Sequence, residues 1–215
     1  MDPRLLAAAR RRRAGRAGPL AVGRLDGWRF CPRCAAPLAA APPETGARPG
    51  ATVGQVSCAA CGLVAWANPA PTASALVEDA QGRLLLGRRA REPYRGCWDT
   101  PGGFLEEDEH PLAALVREVR EETGLACVPG TYVGSWLDTY GEPGDGVLHT
   151  LNLFWEVQLV ASAAGETAPT AVAADDIAEL AWFAHDELPP REEIAFGCVP
   201  LVLEEWRRRK ATGPA

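Results

Sequence analysis

The sequence lacks any long apolar run, and this absence excludes a membrane-spanning helix. A span needs about 20 consecutive apolar residues, and no stretch of the 215-residue chain comes close to that. A signal peptide's apolar core is missing too, because residues 10–13, all arginine, interrupt the only N-terminal candidate. Serine is nearly absent from the same segment, which argues against a transit peptide. We therefore expect a soluble, cytoplasmic protein.

Basic charge is scarce beyond the N-terminal segment. Residues 1–30 contain eight arginines and two aspartates, a net charge of +6, whereas the whole chain carries −6, so the remainder carries −12. An acidic body argues against a general nucleic-acid surface, and we expect no strong nucleic-acid binding. Residues 1–27 are interpreted as a basic, flexible tail, with contact to RNA or acidic lipid as the alternative.

Four of the seven cysteines form two C-x-x-C pairs: Cys31, Cys34, Cys58 and Cys61. Each pair can present two thiolates from a tight turn to one tetrahedral Zn²⁺. The spacing predicts a small zinc ribbon over residues 28–67, with zinc in a structural role, because all four ligands are protein thiolates. Redox-active pairs and unliganded thiols are the alternatives. The other three cysteines are expected to be buried apolar residues.

Three glutamates are clustered on one predicted helix. Glu118, Glu121 and Glu122 stand at i, i+3 and i+4, so on a helix all three project from the same side. Like charges repel there, and the natural occupant is a hard divalent cation with oxygen ligands, Mg²⁺ or Mn²⁺. The alternative is a solvated acidic helix face.

The same segment carries clear helix boundary signals. Pro111 fits the first turn, Gly124 fits the stop, and the apolar residues between them recur at spacings of three and four, which predicts a helix over Pro111–Thr123. Just before it, residues 101–103 (Pro-Gly-Gly) allow backbone to approach a ligand closely, and the Gly103 carbonyl is free to bind metal.

The other elements are predicted from shorter patterns. Strands are expected at 72–77 and 84–87, which we interpret as a hairpin, and at 127–136, 151–160 and 178–183. Loops are expected at 140–146 and 161–174, and a final helix at 198–209. Strands mixed with a few helices predict an α/β (α+β) sandwich around one sheet.

The glutamate segment resembles a known family motif. Gly103, five residues, Glu109, seven residues, and then residues 117–125, Arg-Glu-Val-Arg-Glu-Glu-Thr-Gly-Leu, match the Nudix box at every position. The resemblance implies that residues 68–215 form a Nudix-type α/β/α sandwich with a mixed sheet. It further implies divalent-metal-dependent hydrolysis of a nucleoside diphosphate linked to another moiety.

The resemblance assigns roles to the matching residues. Glu118, Glu121 and Glu122 are expected to bind the Mg²⁺ or Mn²⁺ ion, with the Gly103 carbonyl as a further ligand. Arg117 and Glu109 are expected to orient the loop and the carboxylates. The family commonly uses another carboxylate outside the box, for which the candidates are Asp175, Asp176 and Glu179.

Substrate-binding residues are predicted from charge and aromatic character. An arginine-rich loop that leads to Trp98 suits a diphosphate, with a solvated loop as the alternative; its arginines are Arg88, Arg89, Arg91 and Arg95. An adenine ring needs an aromatic face. The aromatic candidates are Trp136, Tyr140, Trp155 and Phe196, and each has ordinary core packing as its alternative.

The combination of a zinc ribbon and a Nudix box narrows the choice among the family's activities. The NADH pyrophosphatases carry an SQPWPFPxS segment, whereas residues 134–141 read GSWLDTYG. We therefore favour the ADP-ribose and FAD pyrophosphatases, which the late Ile-Ala-Phe at 194–196 also resembles. NADH pyrophosphatase, nucleoside triphosphate pyrophosphatase for oxidised nucleotides, and a non-enzymatic nucleotide sensor stay open. A homodimer is an expectation from the family.

Overall fold

The computed structural model describes residues 25, 28–38, 54–141, 148–160 and 171–212. The chain divides between Ala67 and Asn68 into two compact units. Most of the predicted N-terminal tail, the segment between the cysteine pairs and most of the two predicted loops at 140–146 and 161–174 lie outside the described residues. Within them, no helix is long and apolar enough to cross a membrane.

The first unit is built on two short strands and two turns. Strands β1 (Gln55–Ser57) and β2 (Val64–Trp66) pair antiparallel. The second C-x-x-C pair lies in the turn that connects them, and the first pair lies in a separate turn at residues 31–34. The two strands thus hold one pair of cysteines in place, as expected for a ribbon.

The second unit mixes strands with helices. In chain order its elements are β3 (Ala70–Val77), β4 (Leu84–Arg89), β5 (Trp98–Asp99), β6 (Gly102–Phe104), α1 (Pro111–Thr123), β7 (Cys127–Tyr140), β8 (Leu148–Leu159), β9 (Ile177–Phe183), a 3₁₀ turn (Arg191–Glu193) and α2 (Val199–Thr212). Helix α1 has the predicted bounds, and α2 begins one residue later and ends three residues later than predicted.

The strands form two sheets. One has the order β6-β3-β8-β7 and is mixed, because β3 runs parallel to β8 and antiparallel to β6, which confirms the mixed sheet. The other has the order β5-β4-β9 and is antiparallel. The predicted single sheet is therefore wrong. The predicted β3–β4 hairpin forms only at its turn, where an antiparallel bridge joins Glu78 to Leu84, and β4 then pairs with β9 in the other sheet.

Two helices cover opposite sides of the strands. Leu84 and Leu86 pack in one apolar cluster with residues of α2, including Trp206, whereas Leu85 packs in a second cluster with Leu115 of α1. This division follows the alternation of side chains along a strand. Residues 73–77, which are apolar apart from Ser74, are buried because their strand faces both clusters. The α/β/α sandwich is confirmed.

Candidate active site and cysteine cluster

Helix α1 is closed at both ends by local contacts. His110 caps the start, where its Nδ1 accepts a hydrogen bond from the backbone of Leu112, and Pro111 follows in the first turn. Gly124 ends the helix in the left-handed region at φ 70°. The carbonyl of Glu122 accepts from the backbone N–H of Ala174, which satisfies one orphan group of the last turn. The chain after β8 thus returns to the glutamates.

The glycines of residues 101–103 bring backbone against two of the glutamates. Gly102 has φ 149°, and a Cβ there would stand 2.4 Å from the Ala73 carbonyl oxygen, so a side chain does not fit. Its N–H donates to Glu122 Oε2 at 2.8 Å. A Cβ on Gly103 would stand 2.4 Å from Glu118 Oε1. Glu118 and Glu122 therefore converge on this loop.

Arg117 holds several of the acidic side chains in place. Its Nε and Nη2 donate to the two oxygens of Glu109, each at 2.8 Å, in a bidentate pair. Its Nη1 donates to Glu118 at 2.8 Å and Glu121 at 3.0 Å, and Nη2 also donates to the Phe104 carbonyl. The hydrogen bonds that Arg117 donates to Glu109, with one from the Glu106 N–H, lower the pKa of Glu109 to about 2. The contacts support the predicted orienting role of Arg117 and Glu109.

The negative charges of Glu118 and Glu122 are only partly compensated by neighbouring groups. Burial, with the charges of Asp99 and Glu118, raises the pKa of Glu122 to about 8, against the lowering effect of the Gly102 N–H. Burial also raises the pKa of Glu118, although Arg117 opposes it. Two partly desolvated carboxylates in this state favour protonation or a cation.

These oxygen ligands suit a hard divalent ion, provided that the glutamates held by Arg117 move toward it. Hard cations prefer carboxylate and carbonyl oxygens, which Glu118, Glu122 and the loop supply. Among the described residues, the four cysteines are the only group of three or more candidate ligands close enough together to hold a metal ion, so the three glutamates do not converge on one point. Because Arg117 holds Glu118 and Glu121, a metal ion would take their oxygens in competition with its guanidinium.

The candidate carboxylates outside the box separate into two groups. The charge of Asp175 raises the pKa of Glu118, so Asp175 lies within electrostatic range of the box. Glu179 is 54% exposed, and its described partner is Arg88, at 3.4 Å. Asp176 pairs with Arg91 at 2.8 Å. Of the three, Asp175 is therefore the better placed.

Sequence reasoning missed Asp99, and it named Arg89 only as one of four arginines suited to a diphosphate. Both side chains are almost buried, with exposed fractions of 13% and 11%, and they pair at 3.4 Å. Burial raises the pKa of Asp99 to about 6, although Arg89 and the Thr100 N–H oppose the shift. The charges of Asp99 and Arg89 shift the pKa of Glu122 in opposite directions. The arginine-rich stretch gave no reason to prefer Arg89 over Arg88, and nothing local in the sequence marked Asp99.

Four aromatic rings form a chain beside the glycine loop. The ring centroids of Phe104 and Tyr140 are 5.2 Å apart, and those of Phe196 and Tyr94 are 4.9 Å apart. Between them, Tyr140 stacks on Phe196 with a centroid distance of 5.7 Å and an interplanar angle of 20°. The predicted pair Tyr140 and Phe196 is therefore brought together next to the box. Tyr94 is 44% exposed, so the chain reaches the surface.

The remaining substrate-binding candidates lie elsewhere in the packing. Trp136 contacts Phe154 edge to face at 5.5 Å beside the apolar cluster of α2, and Trp155 contacts Tyr132 at 5.2 Å. These contacts favour a packing role for both tryptophans. Arg88 is directed to Glu179 and to the Gly96 carbonyl.

The four predicted zinc cysteines lie together. Cys31 Sγ is 3.6 Å from Cys61 Sγ, and Cys34 Sγ is 3.7 Å from Cys58 Sγ. Tetrahedral zinc with Zn–S bonds of about 2.3 Å places its sulfurs about 3.8 Å apart, so the separations fit such an ion. Both turns have the same form, since the first cysteine's carbonyl accepts from the residue four positions later, Ala35 or Gly62. Each of these two residues has positive φ.

The thiols of this cluster share protons. Although burial opposes it, backbone hydrogen bonds to Cys31, with weaker ones from Cys61 and Cys34, lower the pKa of Cys31 to about 7. At Cys34 the Ala36 N–H favours the thiolate, but the neighbouring thiols and burial outweigh it and raise the pKa to about 12. A divalent cation replaces such shared protons, so the set is suited to a metal ion.

A carboxylate-lined helix against a glycine loop, on this α/β/α sandwich, defines a hydrolase of phosphoanhydride bonds. The NUDIX domain family matches residues 68–201. The chain belongs to the NUDIX family and is a Nudix pyrophosphohydrolase, which confirms the resemblance drawn from the box.

Relatives and solved structures agree with this assignment. The sequence is 33% identical over 141 residues to the ADP-ribose pyrophosphatase of Methanocaldococcus jannaschii, covering 65% of the chain and 75% of that protein. It is 30% identical over 189 residues to the NAD-capped RNA hydrolase NudC of Pseudomonas aeruginosa, covering 86% of the chain but only 59% of NudC. A NUDIX hydrolase structure from Nitrosomonas europaea shares the fold with a TM-score of 0.63 and 22% identity, over 86% of this chain and 93% of that one.

Proposed function

We propose that the enzyme hydrolyses the diphosphate bond of ADP-ribose or an FAD-like compound with one water molecule and releases AMP. The observation that carries this proposal is the convergence of Glu118 and Glu122 on the Gly102-Gly103 backbone. The choice of substrate is supported by the similarity to the Methanocaldococcus jannaschii ADP-ribose pyrophosphatase. The Tyr140–Phe196 stack beside the loop offers an aromatic surface for adenine.

The metal ions are part of the proposal. Glu118, Glu121 and Glu122, with the Gly103 carbonyl, would hold Mg²⁺ or Mn²⁺, which supplies charge neutralisation at the diphosphate and acidifies a bound water. Arg117 and Glu109 position these carboxylates, and Asp175 is the candidate for a further acid or base, since its charge acts on Glu118. Zn²⁺ would occupy the cysteine cluster and stabilise the ribbon. We keep the cytoplasmic location, the domain bounds 1–27, 28–67 and 68–215, and the homodimer as predictions.

One experiment tests the activity. Purified protein is incubated with Mg²⁺ or Mn²⁺ and ADP-ribose, FAD, NADH, a dinucleoside polyphosphate or 8-oxo-dGTP, and the products are identified by chromatography. We expect AMP from ADP-ribose or FAD at the highest kcat/KM. Glu122→Gln should lower kcat about a hundredfold or more, whereas Glu204→Gln, at an exposed position on α2, should not.

The second candidate is cleavage of NADH or of a related nicotinamide nucleotide. It is favoured by the similarity to NudC, which extends over 86% of the chain. NADH as the best substrate would replace the first proposal, and 8-oxo-dGTP as the best would indicate a triphosphate pyrophosphatase. Tight nucleotide binding without hydrolysis of any compound would indicate a sensor.

A further inference from the structure

Adjacent arginines at the end of β4 face opposite sides of their strand. Arg88 is half exposed, and its guanidinium contacts the Trp98 ring, the Gly96 carbonyl and Glu179. The pairing between β4 and β9 slips by one residue between Arg88 and Arg89. The extra residue, Ala178, lies on β9, so the side chains of β4 keep their alternation. Arg89 is therefore aimed at a different environment from that of Arg88.

The guanidinium of Arg89 is fixed by three neighbours. Its Nε donates to the Pro93 carbonyl at 2.8 Å, Nη1 approaches Asp99 Oδ2 at 3.4 Å, and its Cζ lies 5.0 Å from the centre of the Phe196 ring. The side chain is only 11% exposed. Holding a long cationic side chain in this way lowers the entropy that it would lose on binding a ligand.

The charge of Arg89 is only partly neutralised. The 3.4 Å contact with Asp99 is longer than the roughly 2.7–2.9 Å of a strong charge-assisted hydrogen bond. The other oxygen of Asp99 accepts from the Thr100 N–H at 2.8 Å. The charge of Arg89 also reaches the box, since it lowers the pKa of Glu122. A partly free cation therefore lies within electrostatic range of the proposed metal ligands.

A diphosphate at this site needs positive charge on more than one side. The proposed metal ion would neutralise the oxygens that face the box helix, and Arg117 is occupied by three glutamates. Arginine suits the remaining oxygens, because its planar donors match the geometry of phosphate. Arg89 also contacts Phe196, so one ligand could reach both the cation and the aromatic chain.

We propose that Arg89 binds the diphosphate of the substrate, and that Asp99 is a positioning residue that acts through Arg89. This inference rests on the proposed function and assigns a specific residue to diphosphate recognition. It also selects Arg89 from the four arginines that the sequence suggested, since Arg88 is directed to Glu179.

The test compares neighbouring arginines with the same chemistry. Arg89→Ala and the matched control Arg88→Ala are each assayed for KM and kcat with ADP-ribose. We expect Arg89→Ala to raise KM about tenfold or more, with a smaller change in kcat, because a charged hydrogen bond to phosphate is lost. Arg88→Ala should stay within about twofold of wild type. Equal effects of the two substitutions would overturn the inference.

The positioning role of Asp99 is tested by whether its substitution and that of Arg89 have additive effects on KM. Asp99→Asn should raise KM less than Arg89→Ala does, and the double variant should be no worse than Arg89→Ala alone. A purely structural role for Asp99 predicts additive losses instead and would refute the positioning assignment. Arg89→Lys, which keeps the charge but not the fork of donors, should fall between wild type and Arg89→Ala, and it guards against a misfolded alanine variant.

A binding measurement separates this inference from the proposed function. Calorimetric titration of ADP-ribose into the Glu122→Gln protein needs no turnover, and adding Arg89→Ala should weaken the affinity about tenfold. If wild type hydrolyses nothing but this loss of affinity is found, the proposed function fails and the role of Arg89 stands. If wild type hydrolyses ADP-ribose and adding Arg89→Ala leaves the affinity unchanged, the proposed function stands and the role of Arg89 is refuted.

Discussion

Glu118 lies directly against the α-carbon of Gly103, so close that a Cβ on that glycine would stand 2.4 Å from Glu118 Oε1. The glycine is therefore required by the position of a carboxylate and not by its own backbone dihedral angles. A side chain at position 103 should therefore affect activity much more than stability.

Gly103→Ala should remove most of the activity while leaving the fold intact. The new methyl group displaces the carboxylate of Glu118. A flexible side chain can make this movement at little cost in stability, but the carboxylate then no longer lies where the reaction needs it. A misplacement of about 1 Å can cost about a hundredfold in rate. We expect a loss of that order in kcat, with a melting temperature within about 3 °C of wild type.

The control for this substitution is Gly54→Ala, where nothing lies within 4 Å of the new Cβ. It should change neither activity nor melting temperature measurably. Wild-type turnover in Gly103→Ala would show that the position of Glu118 is not critical.

Glu122→Gln should stabilise the metal-free protein increasingly as the pH rises. The pKa of Glu122 is about 8 in the folded protein, against about 4.3 for an unperturbed glutamate. Between these values the folded state binds more protons, so wild-type stability falls with rising pH, and glutamine removes this dependence. The gap in melting temperature should widen by about 3 °C or more per pH unit from pH 5 to pH 8.

This gap is measured by thermal unfolding without added Mg²⁺ or Mn²⁺. Glu204→Gln, at an exposed position on α2, serves as control and should follow wild type at every pH. A gap that stays constant from pH 5 to pH 8 would contradict the raised pKa. A saturating divalent ion should reverse the order of the two proteins, because it binds the glutamate and not the glutamine.

Asp175 and Glu179 should respond differently to loss of their charge. Asp175 lies within electrostatic range of Glu118, whereas the exposed side chain of Glu179 pairs with Arg88 at 3.4 Å. Asp175→Asn should lower kcat about tenfold or more if this carboxylate assists the reaction. Glu179→Gln should leave kcat within about twofold, since exposed pairs contribute little. A larger loss from Glu179→Gln would return that residue to the active site.

The helix and its glutamates could be predicted because their signals are local. Caps, the spacing of apolar residues and the spacing of Glu118, Glu121 and Glu122 all lie within one segment. The sheets could not be predicted in the same way. Whether β3 pairs with β4 depends on β6 and β8, and β8 lies far along the chain. Local patterns carry no information on such competition.

Asp99 shows the same limit at the level of the site. It lies on a two-residue strand that exists only because β5 pairs with β4, where Asp99 faces Gly87. Its importance comes from burial and from Arg89, and both depend on that pairing. By contrast, the four cysteines could be grouped from sequence alone because the turn geometry of each C-x-x-C pair is local.

Removal of one cysteine should release the metal of the ribbon. Cys34→Ser should lower the zinc content, measured by mass spectrometry of the metal, from about one equivalent per chain to a small fraction. Cys127→Ser, at a buried cysteine of β7, should retain zinc. Limited proteolysis should then cut residues 28–67 only in Cys34→Ser. Unchanged zinc in that variant would exclude the four-thiolate site.

The parallel pairing of β3 with β8 also has a consequence for biosynthesis. Ala70 pairs with Thr150, so the two strands are about 80 residues apart in the chain. At about 5–20 residues per second, a ribosome delivers β8 several seconds after β3. During that interval β3, which is buried on both faces in the folded protein, has one edge without a partner, and open edges of this kind promote association between chains. Chains released after α1 but before β8 should therefore aggregate, although the whole Nudix box has already been made.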